Sequence, residues 1–256
     1  MMSPVPHAVP VPAASVSERV PDPHAVSIWQ DATNRLHDQP AVTPDRLTSD
    51  ALRRRFLQPL DWRQEERHDL QLVPSGQRDA AVLIGLQRGQ EAASTSDRSA
   101  GLEVLLTQRT AQLRAHAGQI AFPGGKIDAQ DRDAVDAALR EAREEVGLER
   151  QGIQVLGALR PYVTHTGYRI LPVVALLPRV WTRHPNPAEV ADIFTVPLGF
   201  LMDPRNHRKH VWHAPTGERR EWFSMPYDDP EQRVQRYIWG VTAGILRDLY
   251  HFLQAG

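Results

Sequence analysis

Between Gly124 and Leu148 the chain reads GGKIDAQDRDAVDAALREAREEVGL, and this segment leaves the fewest ways to fold. At about 100° per residue, Val135, Ala138, Leu139, Ala142 and Val146 fall within one arc of about 100°, the buried stripe of an amphipathic helix. The pattern predicts a helix over 131–146. Asp131 or Asp133 is placed to cap it, and Gly147 supplies a left-handed stop. Arg140 and Glu144 point away from the stripe, whereas Glu141 and Glu145 lie on its border, where a side chain reaches back toward the body of the domain. Glu141 and Glu145 are i and i+4, and Glu144 is i+3 from Glu141. Like charges so spaced repel by roughly 0.2–0.5 kcal/mol per pair, and negative charge near a helix C-terminus is unfavourable. An acidic face of this kind is most often solvated, with Arg140 pairing Glu144. A hard divalent cation turns it into a site, because Mg²⁺ takes oxygen ligands, few of them from protein, and fills the rest with water and phosphate oxygens. Pro123-Gly124-Gly125, just upstream, makes a tight loop whose backbone can approach both.

The flanking chain supplies a mixed set of elements. Ser49–Leu57 predicts a short helix with Ser49 or Asp50 as its cap. Apolar runs at 80–86, 102–108, 155–159, 170–177 and 193–197 are of strand length, and Pro172 points to an edge position or a bulge. Residues 210–213 and 221–225 are placed to pair as a hairpin, and 237–252 predicts a closing helix. Short strands interleaved with helices favour an α/β or α+β sandwich over a purely parallel doubly wound sheet. Residues 1–44, rich in Pro and Ala with few large side chains, predict a disordered tail, leaving 45–256 as the folded domain.

Composition removes several functions. With no cysteine there is no disulfide, thiolate zinc site or Cys nucleophile. Thirty Lys and Arg against 31 Asp and Glu argue against a nucleic-acid or acidic-membrane binder. The mean hydropathy of −0.44, with no apolar run near the ~18 residues of a span, predicts no membrane segment. The N-terminus does not read as a secretory signal or a transit peptide, so the bacterial cytoplasm is the default location. No histidine falls in an HExxH arrangement. His207, His210 and His213 are spaced i,i+3 in a strand-like segment, which puts neighbours on opposite faces, so a zinc site is not expected. The glycine spacing around Lys126 is not that of a Walker A loop, and Ile127 stands where Ser or Thr would touch Mg²⁺.

Gly125, Arg140-Glu141, Glu144-Glu145 and Gly147-Leu148 resemble the Nudix box, GX5EX7REUXEEXGU with U apolar. Asp131 replaces the early Glu, and the gap from Gly125 to Arg140 is one residue longer. The longer gap is similar to that of the coenzyme A diphosphatase branch. A second stretch, LLTQRTAQLRAHAGQIAFPGG over 105–125, resembles that branch's own signature, with Thr110 in place of Ser or Ala. PYVTHTGYRILP at 161–172 and WGVTA at 239–243 are also similar to this group.

The resemblance implies an α/β/α Nudix sandwich with a mixed sheet, and Mg²⁺- or Mn²⁺-dependent hydrolysis of the phosphoanhydride of coenzyme A or its derivatives. Glu141 and Glu145 would hold the metal, and Glu144 would be a further ligand or orient its water. Arg140 would position a box carboxylate through a bidentate fork. Arg109 and Arg114 would grip substrate phosphates, with Gly124, Gly125 and Lys126 beside them. Glu189 is the candidate general base. The partner is a small-molecule substrate, and a homodimer is allowed. The alternatives are another diphosphate substrate (NADH, ADP-ribose or a nucleoside triphosphate) and a non-catalytic nucleotide sensor.

Overall fold

Strand period sets the architecture. In the computed structural model, which describes residues 22–58, 61–66, 77–89, 101–113, 116–215 and 217–255, alternate residues of three long strands face opposite ways. These strands are β1 (Arg78–Arg88), β2 (Leu102–Arg109) and β7 (Tyr168–Leu176). Ala81, Leu83, Leu105, Val173 and Ala175 enter one apolar cluster, and Ile84, Leu86, Val104, Leu106, Val174 and Leu176 enter another. The remaining strands of this sheet are β3 (Ile120–Ala121), β4 (Gly124–Lys126), β5 (Gln154–Ala158), β6 (Tyr162–Val163) and β8 (Val190–Pro197). The order is β3-β2-β1-β7-β5, with β4 on β1, β6 on β7 and β8 on β2. β1 and β7 are parallel and the other pairs antiparallel, so the sheet is mixed as expected.

Helix α3 (Ala134–Val146) covers the first cluster; the short α4 (Leu198–Leu201) follows β8, and α5 (Gly240–Gln254) covers the second cluster. A three-stranded antiparallel sheet of β9 (Arg208–His213), β10 (Arg219–Asp229) and β11 (Val234–Trp239) lies on the α5 side, its first two strands forming the expected hairpin. Among the described residues no helix is long and apolar enough to cross a membrane.

Four expectations need correction. The closing helix begins at Gly240, because Tyr237–Trp239 pair with β10 as the end of β11. Pro172 is interior rather than on an edge: β7 lies between β1 and β5. There the partner of β7 changes from β6, at Ile170, to β5, at Val173, so the missing N–H falls at a gap in the ladder. Thr48, not Ser49 or Asp50, caps α2 (Ser49–Leu57), accepting from the Ala51 N–H at 3.2 Å.

The disordered tail does not extend over 22–44. Helix α1 (Gln30–His37) buries Ala32, Thr33 and Leu36, and Trp29 N–H donates to Lys209 O of β9. Further on, Arg46 donates to the carbonyls of Leu253 and Gln254, and Arg55 to that of Phe252. These are carbonyls that the last turn of α5 cannot satisfy itself. The N-terminal polar residues are therefore ordered by tertiary partners that local composition does not reveal. The first 21 residues lie outside the described ones.

Candidate active site

Asp133 caps α3, its carboxylate accepting the Asp136 N–H at 2.8 Å. Gly147 ends the helix in the left-handed region at φ 75°, with Leu148 N–H returning to Ala142 O. Between these stops the carboxylates divide as the helical wheel requires. Glu145 is buried, Glu141 half-buried and Glu144 exposed.

The Pro-Gly-Gly bend meets them from the sheet. β4 pairs with β1 through Gly125↔Ala81, which brings it under α3. Gly124 N–H donates to Glu145 Oε2 at 3.1 Å. A Cβ on Gly125 would stand 2.5 Å from Glu141 Oε1, so the bare backbone is what lets that carboxylate lie against the bend. From β2, Arg109 Nη1 reaches within 3.8 Å of Glu145 Oε1, and its Nε is buried with no hydrogen-bond partner among the described residues.

Arg140 makes the predicted bidentate fork, but on Asp131, with Nε and Nη2 at 2.8 and 2.9 Å from the two carboxylate oxygens. Its Nη1 donates to Glu141 at 2.9 Å and Glu144 at 3.2 Å, and Nη2 also donates to Lys126 O at 3.1 Å. Asp131 thus occupies the early box position as an anchor for Arg140 rather than as the helix cap. Lys126 contributes that carbonyl while its side chain stays exposed.

The electrostatics mark Glu145 out. Burial pushes its carboxyl up to about 7, with Glu141 and Glu189 adding repulsion against the opposing pull of Gly124 N–H and Arg109. Glu141 is also raised, mainly by burial. Glu189, just before β8, is close enough to repel both. Its loop is held by Thr110, whose N–H donates to Glu189 O at 2.9 Å and whose hydroxyl donates to Ala188 O at 3.4 Å. That role for Thr110 was not foreseen. The one sequence signal was its departure from the small residue of the motif. Arg114 lies outside the described residues.

The model of the NUDIX domain matches residues 90–233. This chain belongs to the Nudix family. It is 42% identical over 151 residues to a protein of Photorhabdus laumondii described as an uncharacterized Nudix hydrolase, NudL, covering 59% of this chain and 77% of that one. The Escherichia coli NudL is 37% identical over 172 residues, covering 67% and 81% respectively. Among solved structures, the Nudix hydrolase RenU of M. smegmatis shares 24% identity over 48% of this chain and 72% of its own, with a TM-score of 0.39.

A Nudix cation fits this donor set in kind. The side chains are hard oxygen donors, and Glu145 is a buried carboxylate whose charge Gly124 and Arg109 do not fully compensate. Among the described residues no three are already gathered on one point, since Arg140 holds Glu141 and Glu144.

Proposed function

We propose that this Nudix hydrolase cleaves the phosphoanhydride of coenzyme A and its derivatives, giving 3′,5′-ADP and 4′-phosphopantetheine. The observation that carries the reading is the meeting of two motifs in one place: Arg109, from the LLTQR stretch, and Gly124, from FPGG, both address Glu145 of the box. Glu141 and Glu145 would hold Mg²⁺ or Mn²⁺, with Glu144 as a further ligand once released by Arg140. The bound ion supplies charge neutralisation of the diphosphate and a more acidic water.

The chain's own residues do the rest. Arg109 binds phosphate oxygens through the exposed end of its guanidinium, which makes only a long, 3.8 Å contact with Glu145. Gly124 and Gly125 let the substrate approach the backbone. Arg140, fixed by Asp131, positions Glu141 and Glu144. Glu189 accepts a proton from the water whose oxygen bonds to phosphorus, as the bond from that phosphorus to the bridging oxygen breaks. The substrate is a small molecule. The cytoplasm is its setting, and the chain acts alone or as a homodimer.

The test is chromatography of coenzyme A incubated with the purified chain and Mg²⁺ or Mn²⁺. The expected product is 3′,5′-ADP, falling by more than about 10²-fold in Glu145→Gln, a larger loss than the ~10–100-fold typical of an outer partner. Turnover of NADH or ADP-ribose with no product from coenzyme A would move the assignment to another diphosphate.

A further inference from the structure

Glu145 lies in the last turn of α3, where backbone carbonyls find no partner inside the helix. Two of them are taken by the chain that leads into β8. His184 N–H donates to Val146 O and Asn186 N–H to Glu145 O, each at 2.9 Å. Asn186 then turns the chain. Its carbonyl accepts the N–H of Glu189 at 3.0 Å and of Val190 at 2.8 Å. Its side-chain Oδ1 accepts the Ala188 N–H at 3.1 Å, an Asx turn in which a short polar side chain holds the backbone two residues on. Pro187 follows, its own φ preset, and disfavours a helical Asn186. One residue thus bonds the backbone of Glu145 on one side and that of Glu189 on the other.

The turn works against a repulsion. Glu189 disfavours the charged forms of both Glu141 and Glu145, so the three carboxylates push one another apart. Packing gives the turn little support, because Pro187 and Ala188 are exposed. The sheet does not fix it either: Val190 lies opposite Arg109, but the register of β8 on β2 slips between Arg109 and Gln108. Thr110 clamps the far side of the turn, at Glu189 O and Ala188 O. The bond from Ala188 N–H to Asn186 Oδ1 closes it from within.

We propose that Asn186 is a positioning residue for the hydrolysis: it joins the backbones of Glu145 and Glu189, and its side-chain oxygen shapes the turn that sets Glu189 against the carboxylates of α3. The proposal rests on the reading of Glu189 as the base. Its test is steady-state kinetics of the full chain with Mg²⁺ and the diphosphate that it turns over. Asn186→Ala removes the acceptor and keeps both backbone bonds. It should lower kcat about ten-fold, as loss of an outer partner does, and leave KM within about two-fold. Asn186→Ser, whose neutral hydroxyl accepts the same N–H, should return kcat to within about three-fold of the parent. On a Glu189→Gln background, Asn186→Ala should cost less than about two-fold more, because it acts through Glu189. Mn²⁺ affinity without substrate should stay within about two-fold, since the bond to Glu145 O is retained. Where Asn186→Ala is too unstable to assay, Asn186→Gln replaces it, keeping the amide but carrying its oxygen one methylene further, with the same loss expected. A folded variant lacking the turn with parental kcat, a loss that Asn186→Ser does not recover, a loss undiminished on Glu189→Gln, or an equal fall in Mn²⁺ affinity each overturns the proposal while the reading of Glu189 stands. Absence of hydrolysis, or a Glu189→Gln enzyme as fast as the parent, overturns that reading and the proposal with it.

Discussion

Glu65, beside α5, and Glu145, on α3, are both carboxylates withdrawn from water, and they titrate in opposite directions. Burial pushes both up. At Glu65 that push is overcome by His251 and Arg247, and the carboxyl falls to about 2. At Glu145 it is not overcome, and the carboxyl rises to about 7. The difference lies in what surrounds them. Arg247 is fully buried and every nitrogen has a partner: Nε and Nη2 on Glu65 at 2.8 and 2.6 Å, Nη2 also on Gln39, and Nη1 on His207 Nδ1 at 3.1 Å. Burial and the nearby Arg247 hold His207 down at about 3, so it stays neutral, and its Nε2 donates to Leu201 O. That network is closed and complete. Around Glu145 the positive charge is only partial: Arg109 stands at 3.8 Å, while Glu141 and Glu189 repel the carboxylate. Two buried acids of one fold thus separate a compensated ion pair from a carboxylate left without full compensation.

The largest expected effect comes from breaking the closed side. Arg247→Ala leaves Glu65 buried without its main counter-charge, and unfolding in urea should show a loss of about 3–5 kcal/mol. Replacing both partners, Arg247→Met with Glu65→Leu, should recover most of it, because the cost lies in the orphaned charge. If the single and double variants were equally unstable, the contrast with Glu145 would lose its basis.

The next effect has the opposite sign. In metal-free protein, the folded state holds a proton on Glu145 that an unfolded carboxyl releases at its ordinary value of 4.5. Stability tied to that proton is fully present below 4.5 and is lost as pH rises through about 7. Glu65, depressed to about 2, works the other way: its contribution is present above 4.5 and disappears as pH falls toward 2. With chelator present, the parent should therefore lose stability relative to Glu145→Gln between pH 5 and 8, by on the order of 3 kcal/mol. The comparison with Glu145→Gln removes the opposite contribution of His207, which is held down at about 3 and gains as pH rises toward 6.5. It should leave the acid limb of Glu65 untouched. An unchanged slope in Glu145→Gln would mean that the acid is not the uncompensated group.

How much of this could be read from the residues follows the range of the interactions. The helix, expected over 131–146 and found over Ala134–Val146, its Gly147 stop and the inward lean of Glu141 and Glu145 are legible, because helical period and capping are local. The meeting of Arg109, Gly124 and Glu145 was legible only through the motif, since it spans three elements. The fork of Arg140 on Asp131 was hidden because the partner lies before the first turn, at no helical spacing. The order in 22–58 was hidden because its anchors are carbonyls and strands far along the chain. For Pro172 the sequence leaves an edge or a bulge open, because a proline is tolerated wherever a ladder is interrupted, and only the register shows where that is.

The smallest effect tests the departure from the signature. Thr110 holds the Glu189 loop through two bonds, one from its backbone and one, longer, from its hydroxyl. Thr110→Ala removes only the second. The backbone bond at 2.9 Å keeps Glu189 in place, so the stability loss should be about 0.5–1.5 kcal/mol, the net worth of one hydrogen bond. The change in kcat should stay below about three-fold, with the ranking of substrates preserved. A larger fall in kcat, with KM and melting temperature steady, would show that the hydroxyl sets the position of Glu189, and the open side of the comparison would then extend from α3 across to β8.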